Sequence, residues 1–271
     1  VAEDSFESAV AIVTGGSNGI GRAVALAFAE AGAHVLSCDL VSPAGTHPRI
    51  ATMTADIADP GTADKAIGQA VSAFGRADIL VNNAAAYPDG PLLDMTANAW
   101  DRVFAVNVTG TFLMTQAFAR HRLQRRARGG AVVSISSGSA RSPRPGGAAY
   151  AASKAAVETM SRVFAMELGP LGIRVNVVAP GYIDVRQWSS AYPDRAPGEL
   201  RDALVRSTPL GRPGDPGDVA KAVLFLASAR AGHITGAVLD VDGGSGAGRF
   251  LLGSRQALGS RQADGQGNVR S

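Results

Sequence analysis

Tyr150 and Lys154 are the residues in this chain whose types and spacing most directly suggest chemistry. Four residues apart on a helix, they lie on one face, one turn from each other. A lysine ammonium beside a phenol favours the phenolate and lowers its pKa. Without such help tyrosine is a poor base near neutrality, with an ordinary pKa of about 10. Ser137 closes an apolar run, Ala131–Ser137, that reads as a buried strand. A strand end and the following helix can bring its hydroxyl to the same point as the phenol, giving a proton-transfer site for a substrate oxygen. Alone the pair is weak, because a surface lysine and a half-buried tyrosine recur at this spacing by chance; the elements that position it decide.

Val10–Val13 reads as a central parallel strand, entirely apolar. It runs into Thr14-Gly-Gly-Ser-Asn-Gly-Ile-Gly21 and then a helix ending near Ala31. Strand, glycine turn and helix are what a phosphate-cradling loop requires: glycines permit close approach, and the helix N-terminus offers N–H groups. Gly15, Ser17, Asn18, Gly19, Ile20 and Gly21 are therefore candidate cofactor contacts. A second strand, Ala33–Cys38, ends at Asp39, where a carboxylate can accept from the adenosine ribose and would repel a 2′-phosphate. No cation stands at Ser17, Asn18 or Leu40 to neutralise that phosphate, which favours NAD over NADP.

Ile50–Asp56 reads as a third strand, with Asp56 and Ile57 placed for an adenine edge, and residues 60–75 as a helix. Asp78–Val81 is a fourth strand, followed by Asn82, Asn83, Ala84 and Ala85; both asparagines fit either a ligand contact or a purely structural turn. Residues 98–128 read as one helix with Asn107 inside it, an unfavourable position for asparagine unless packing or function requires it. Ile173–Val178 is another buried strand, ending at the Pro180-Gly181 turn. Residues 184–213 read as an irregular lid, Asp215–Ala227 as a helix with Asp215 near its N-cap, and Gly236–Val241 as the last strand. His34 has no partner in sight and is given no role. The alternation predicts a doubly wound parallel α/β sheet with helices on both faces, in one domain over residues 1–247, with a Gly/Ser/Arg/Gln-rich, poorly ordered tail over 248–271. Every motif falls at the carboxyl end of a strand, where such sheets bind ligands.

Composition narrows the alternatives. The net charge of +3 is matched by four Arg and one Asp from Ser245 onward, so residues 1–244 are neutral and no basic groove for nucleic acid is expected. The cluster Arg120–Arg128 fits a solvated helix end. No apolar run is long enough to span a membrane, the acidic start lacks a signal-peptide pattern, and Cys38 is the only cysteine; together these suggest a cytoplasmic protein. No cluster of ligating side chains suggests a metal.

Taken together, Thr14-Gly15-x-x-x-Gly19-x-Gly21, Asn82-Asn83-Ala84, Asn107, Ser137, Tyr150-x-x-x-Lys154 and Pro180-Gly181 resemble the short-chain dehydrogenase/reductase family over residues 8–246. The resemblance implies that Tyr150 is the acid/base, that Ser137 hydrogen-bonds the substrate oxygen, and that Lys154 tunes Tyr150 and holds the nicotinamide ribose. It also implies that Asn107 supports a water-linked relay to Lys154 and that Ile183 contacts the carboxamide. Asn83, Ala84, Pro180 and Gly181 join the cofactor set. Two positions depart from the family pattern: Ala85 where glycine is common and Val185 where threonine is common.

The expected activity is NAD-dependent interconversion of a secondary alcohol, cyclic or aromatic, and its ketone. Tyr87, Ser139, Tyr182 and Trp188 are candidate substrate contacts, with Tyr192 nearby. Arg141, Arg144 and Arg186 are either carboxylate anchors or solvated loop arginines. The alternatives are an NADPH-dependent reductase of 3-oxoacyl or polyketide-like ketones, an NAD-binding sensor without turnover, and nucleic-acid binding through the tail. Family likeness also implies a homotetramer or homodimer pairing helices 98–128 and 148–168.

Overall fold

The structure, a computed structural model, describes residues 5–43, 45, 47–88, 90–185 and 197–248. Arg186, Trp188, Tyr192, much of the expected lid and nearly all of the tail lie outside these.

Seven parallel strands form one sheet in the order β3-β2-β1-β4-β5-β6-β7. They are β1 (Val10–Thr14), β2 (His34–Asp39), β3 (Ile50–Thr54), β4 (Ile79–Asn82), β5 (Gly130–Ile135), β6 (Ile173–Pro180) and β7 (Val238–Val241). The winding reverses between β1 and β4, which opens a crevice at their carboxyl ends. Alternate strand residues serve opposite faces. Ala11 and Val13 face α1 (Gly19–Glu30) and α7 (Pro216–Ala227), packing with Phe28 and Val223. Val10 and Ile12 face α2 (Thr62–Phe74), α4 (Thr111–Gln124) and α5 (Ala148–Leu168), packing with Met114 and Phe118. Sandwiched between two helical layers, β1 and β4 are buried at every position, which explains their unbroken apolar runs.

The helix expected over 98–128 is three pieces. α3 (Ala97–Phe104) runs into a π-helical turn, Ala105–Gly110, and then into α4. The lid also differs from expectation, since α6 (Pro197–Arg206) is helical despite its proline and arginine content. α7 starts as expected: Asp215 accepts from Gly217 N, and Asp218 reaches back to the cap nitrogen, a capping box of the kind that contributes about 1 kcal/mol. His34 does find a neighbour, stacking on Phe74 with centroids 4.8 Å apart.

Candidate active site

The glycine loop is shaped by contacts that only glycine permits. Gly15 has φ +66°, and a Cβ there would lie 2.8 Å from Ala84 Cα; at Gly21 it would lie 2.0 Å from Gly15 O. Asn83 fastens this loop to the end of β4. Its Nδ2 donates to Thr14 O and Gly15 O, both at 3.0 Å, while Thr14 Oγ1 accepts from the backbone N of Asn83 and Ala84. Asn83 is thus structural in what it bonds, and Ala84 is the wall against which Gly15 closes. Asn82 points away, donating to Thr115 Oγ1 at 3.0 Å. α1 begins at Gly19 with no side-chain cap from Asn18 and no acidic residue in its first turn. A backbone cradle with an uncapped, positive helix end suits a pyrophosphate.

Asp39 stands at the tip of β2 beside this loop. Its Oδ2 accepts from Ser17 N at 2.9 Å and its Oδ1 from Leu40 N at 2.7 Å. Ser17 Oγ donates to Val41 O at 2.6 Å. The carboxylate therefore orients the loop while keeping lone pairs for a ribose hydroxyl. Asp56 lies just past β3, tied to Ala58 N and to Arg102 at 2.7 Å. Burial works against its charge, but the Arg102 contact and the Ala58 bond prevail and hold the carboxyl below the usual range. Ile57 is buried with Cys38 and Val106, which leaves its main chain for an adenine. Burial and the carboxylates of Asp39 and Asp56 push the Cys38 thiol up to about 11, so it is an inert packing residue.

Ser137 sits two residues past β5, where it caps a short 3₁₀ turn, Gly138–Ala140, that packs against α5. Its Oγ accepts from Ser139 N at 3.2 Å, which leaves the O–H to donate. Tyr150 and Lys154 occupy the first two turns of α5. Tyr150 is half-buried, with the Tyr87 ring edge-on at 6.3 Å. Lys154 is buried; its Nζ donates to Ile135 O at 2.8 Å and lies 5.6 Å from the centre of the Tyr150 ring. Desolvation lowers its pKa from the ordinary 10.5 to about 8.

Asn107 lies in the π-helical turn. Its Oδ1 accepts from Ala86 N at 2.8 Å, and its Nδ2 donates to Ala86 O and to Ser153 Oγ, each at 2.9 Å. Ser153 Oγ in turn donates to Tyr150 O at 2.7 Å. This network links the β4 loop to the first turn of α5. Ser153 and Ala86 escaped the sequence reading. So did Glu158, a buried carboxylate that accepts from Ser136 Oγ at 3.0 Å. Tyr150, Lys154 and Glu158 recur every four residues, a signal that was available.

On the far side of the crevice, Pro180 ends β6 and Gly181 N donates to Val241 O at 3.1 Å. Ile183 is buried and bridges to Gly214, so its main chain alone borders the crevice. Val185 packs beside Gly19, where its methyl would lie 3.5 Å from a Cβ. Tyr182 is half-buried, and burial raises its phenol. Ser139 lies beside Ser137, with its backbone N bonded to that hydroxyl. Arg141 forms an ion pair with Asp240, so its charge is already matched. Trp188 and Arg186 lie outside the described residues.

A parallel sheet carrying these motifs at one crevice defines a nucleotide-dependent oxidoreductase, and the chain belongs to the short-chain dehydrogenase/reductase family. The matching family model, described as enoyl-(acyl carrier protein) reductase, covers residues 15–246. Among its relatives, a (3R)-3-hydroxyacyl-CoA dehydrogenase of Canis lupus familiaris is 38% identical, over 88% of this chain and 96% of that one. A 3-oxoacyl-(acyl-carrier-protein) reductase of Thermotoga maritima is 36% identical, over 88% and 98%. A 3-ketoacyl-(acyl-carrier-protein) reductase of Brucella melitensis, solved with NADH, superposes with a TM-score of 0.82 at 33% identity, covering 89% of this chain and 100% of that one. Among the described residues there is no metal-binding cluster and no helix long and apolar enough to cross a membrane.

Proposed function

We propose that the chain is an NAD-linked dehydrogenase that interconverts a secondary alcohol and its ketone, with Tyr150 as acid/base. The observation that carries this is the buried Lys154, its Nζ fixed on Ile135 O beside the Tyr150 ring. The residues present fit a nicotinamide dinucleotide: the glycine cradle for its pyrophosphate, Asp39 for its adenosine ribose, Lys154 for its nicotinamide ribose. When bound, it supplies the hydride acceptor or donor. In the oxidising direction the substrate hydroxyl gives its proton to the Tyr150 phenolate oxygen, while Ser137 O–H donates to the same substrate oxygen and holds it in place. The Lys154 cation favours the phenolate beside it, and in ketone reduction the proton runs back from Tyr150 to the carbonyl oxygen. Asn107 and Ser153 fix the start of α5 and so the phenol. Tyr87, whose ring meets that of Tyr150, and Tyr182 favour a cyclic or aromatic substrate.

NAD is assigned on Asp39 and on the lack of a cation at Ser17, Asn18 or Leu40. The Brucella melitensis protein solved with NADH supports the same choice. A second reading, reduction of 3-oxoacyl thioesters with NADPH, is favoured by the names of the relatives in dog and Thermotoga maritima. Steady-state assays of cyclic secondary alcohols with NAD, beside 3-oxoacyl-CoA with NADPH and NADH, separate the two. Turnover of the alcohols with NAD alone supports the first, and thioester reduction with NADPH alone replaces it. Phe112 on α4 and Val163 and Met166 on α5 are exposed apolar residues that favour pairing of these helices in a homotetramer or homodimer, which light scattering would read as a multiple of 27.6 kDa. The single buried cysteine fits a reducing cytoplasm.

A further inference from the structure

Parallel strands are usually joined through a helix, but the described residues of the β2–β3 crossover contain none. A cavity of about 190 Å³ lies between this crossover, α1 and the strands. Its wall includes Arg22 from α1, Ser37 from β2, Thr52 from β3, and Ser42 and His47 from the crossover. None of the lining residues is Asp or Glu. Arg22 makes no ion pair and no side-chain hydrogen bond among the described residues, and its guanidinium reaches toward Gly45. Ser37 is 2% exposed, and its hydroxyl has no partner. His47 Nδ1 accepts from Arg49 N at 3.2 Å, which assigns the proton of the neutral ring to Nε2. Unspent donors, a fixed positive charge and the absence of carboxylates suit an oxyanion. At about 30 Å³ per water, the space holds roughly six waters or one tetrahedral oxyanion with some solvent.

We infer that this cavity binds a phosphate group, with Arg22 as its charge partner and Ser37 and His47 as further donors. The phosphate has two possible sources. It can belong to a free ion or small phosphomonoester, or to a 2′-phosphorylated dinucleotide entering from the adjoining loop, since Gly16 also lines the cavity and Ser37 lies two residues before Asp39. The inference is independent of the proposed reaction, because it is read as binding without turnover.

The test titrates inorganic phosphate into full-length protein already saturated with NADH, followed by ³¹P line broadening, for the parent chain, Arg22→Gln and His47→Gln. Saturable binding is expected, weakened at least tenfold by Arg22→Gln and less by His47→Gln, with NADH affinity unchanged. His47 lies outside helices and strands, so its variant keeps the test decisive if Arg22→Gln fails to fold. A parallel fluorescence titration compares NADPH with NADH. Loss of NADPH affinity alone in Arg22→Gln, with inorganic phosphate competing against NADPH but not NADH, assigns the site to the dinucleotide. Unchanged NADPH affinity with phosphate binding lost assigns it to a free ligand. No saturable phosphate binding in the parent with no effect of Arg22→Gln on NADPH, or equal binding in every variant, overturns the inference.

Discussion

The loops after β1 and β4 and those after β5 and β6 face one crevice but are built on different physics. On the first side the side chains serve the backbone. Asn83 holds Thr14 and Gly15, and Asp39 holds Ser17 and Leu40, so what the loop presents is a fixed main-chain shape. On the second side the backbone serves the side chains. Ile135 O holds Lys154, Ser139 N orients Ser137, and Ala86 clamps Asn107. The dinucleotide is to be recognised by shape and by backbone N–H groups, whereas proton transfer needs a charge and a hydroxyl set in place beforehand.

If that division holds, a substitution on each side should move a different observable. Tyr150→Phe is expected to lower kcat by roughly 10²–10⁴-fold, the range general acid–base groups supply, with NADH affinity retained; full turnover in that variant would remove Tyr150 from the chemistry. Gly21→Ala places a methyl against Gly15 O, 2.0 Å away, so the loop must open. Dinucleotide affinity should fall by on the order of tenfold or more, about 1.4 kcal/mol per decade, with little change in kcat once saturated. Fluorescence titration reads the first quantity and initial rates the second. Asn107→Leu leaves Ala86 and Ser153 without their partner, which costs about 1–3 kcal/mol for buried polar groups. Urea unfolding should show that loss together with a lower kcat, and an unchanged kcat would restrict Asn107 to a purely structural role.

The first side was the more legible in the sequence. Glycines at 15, 19 and 21, flanked by an apolar run and a helical pattern, announce a backbone shape because no other residue tolerates it. The Tyr150–Lys154 spacing was equally plain, since helical periodicity is local. Asn107 stood out as an oddity within a helix, but the π-helical turn did not. Its hydrogen-bond partners, Ala86 and Ser153, come from elements far off in the chain, and no local rule pairs them. Arg141 read as open to a carboxylate for the same reason, because Asp240 reaches it only once β7 is in place. In the lid, the proline that looked like a breaker begins α6 at Pro197, where its missing N–H costs nothing. The unhelical β2–β3 crossover was invisible as a feature, because what matters there is an absence of cover over Arg22 and Ser37.

The smallest expected effect bears on what the second side gives up in stability. Lys154 in the folded chain has its pKa lowered by burial to about 8 from 10.5. Below pH 8 both folded and unfolded chains carry the proton, and the cost of keeping a buried ammonium is full. Between pH 8 and 10.5 the unfolded chain binds more protons than the folded one, so stability rises with pH across that window relative to a chain lacking the group. Lys154→Met removes the cost and also the hydrogen bond to Ile135 O, which offsets part of it. At pH 7 the variant should therefore be inactive yet more stable than the parent by about 1–2 kcal/mol, with the difference shrinking as the pH approaches 10. Urea unfolding at the two pH values measures it. A variant less stable than the parent at pH 7 would show that the bond to Ile135 outweighs desolvation, and the charge on this side would then stabilise the fold it was thought to burden.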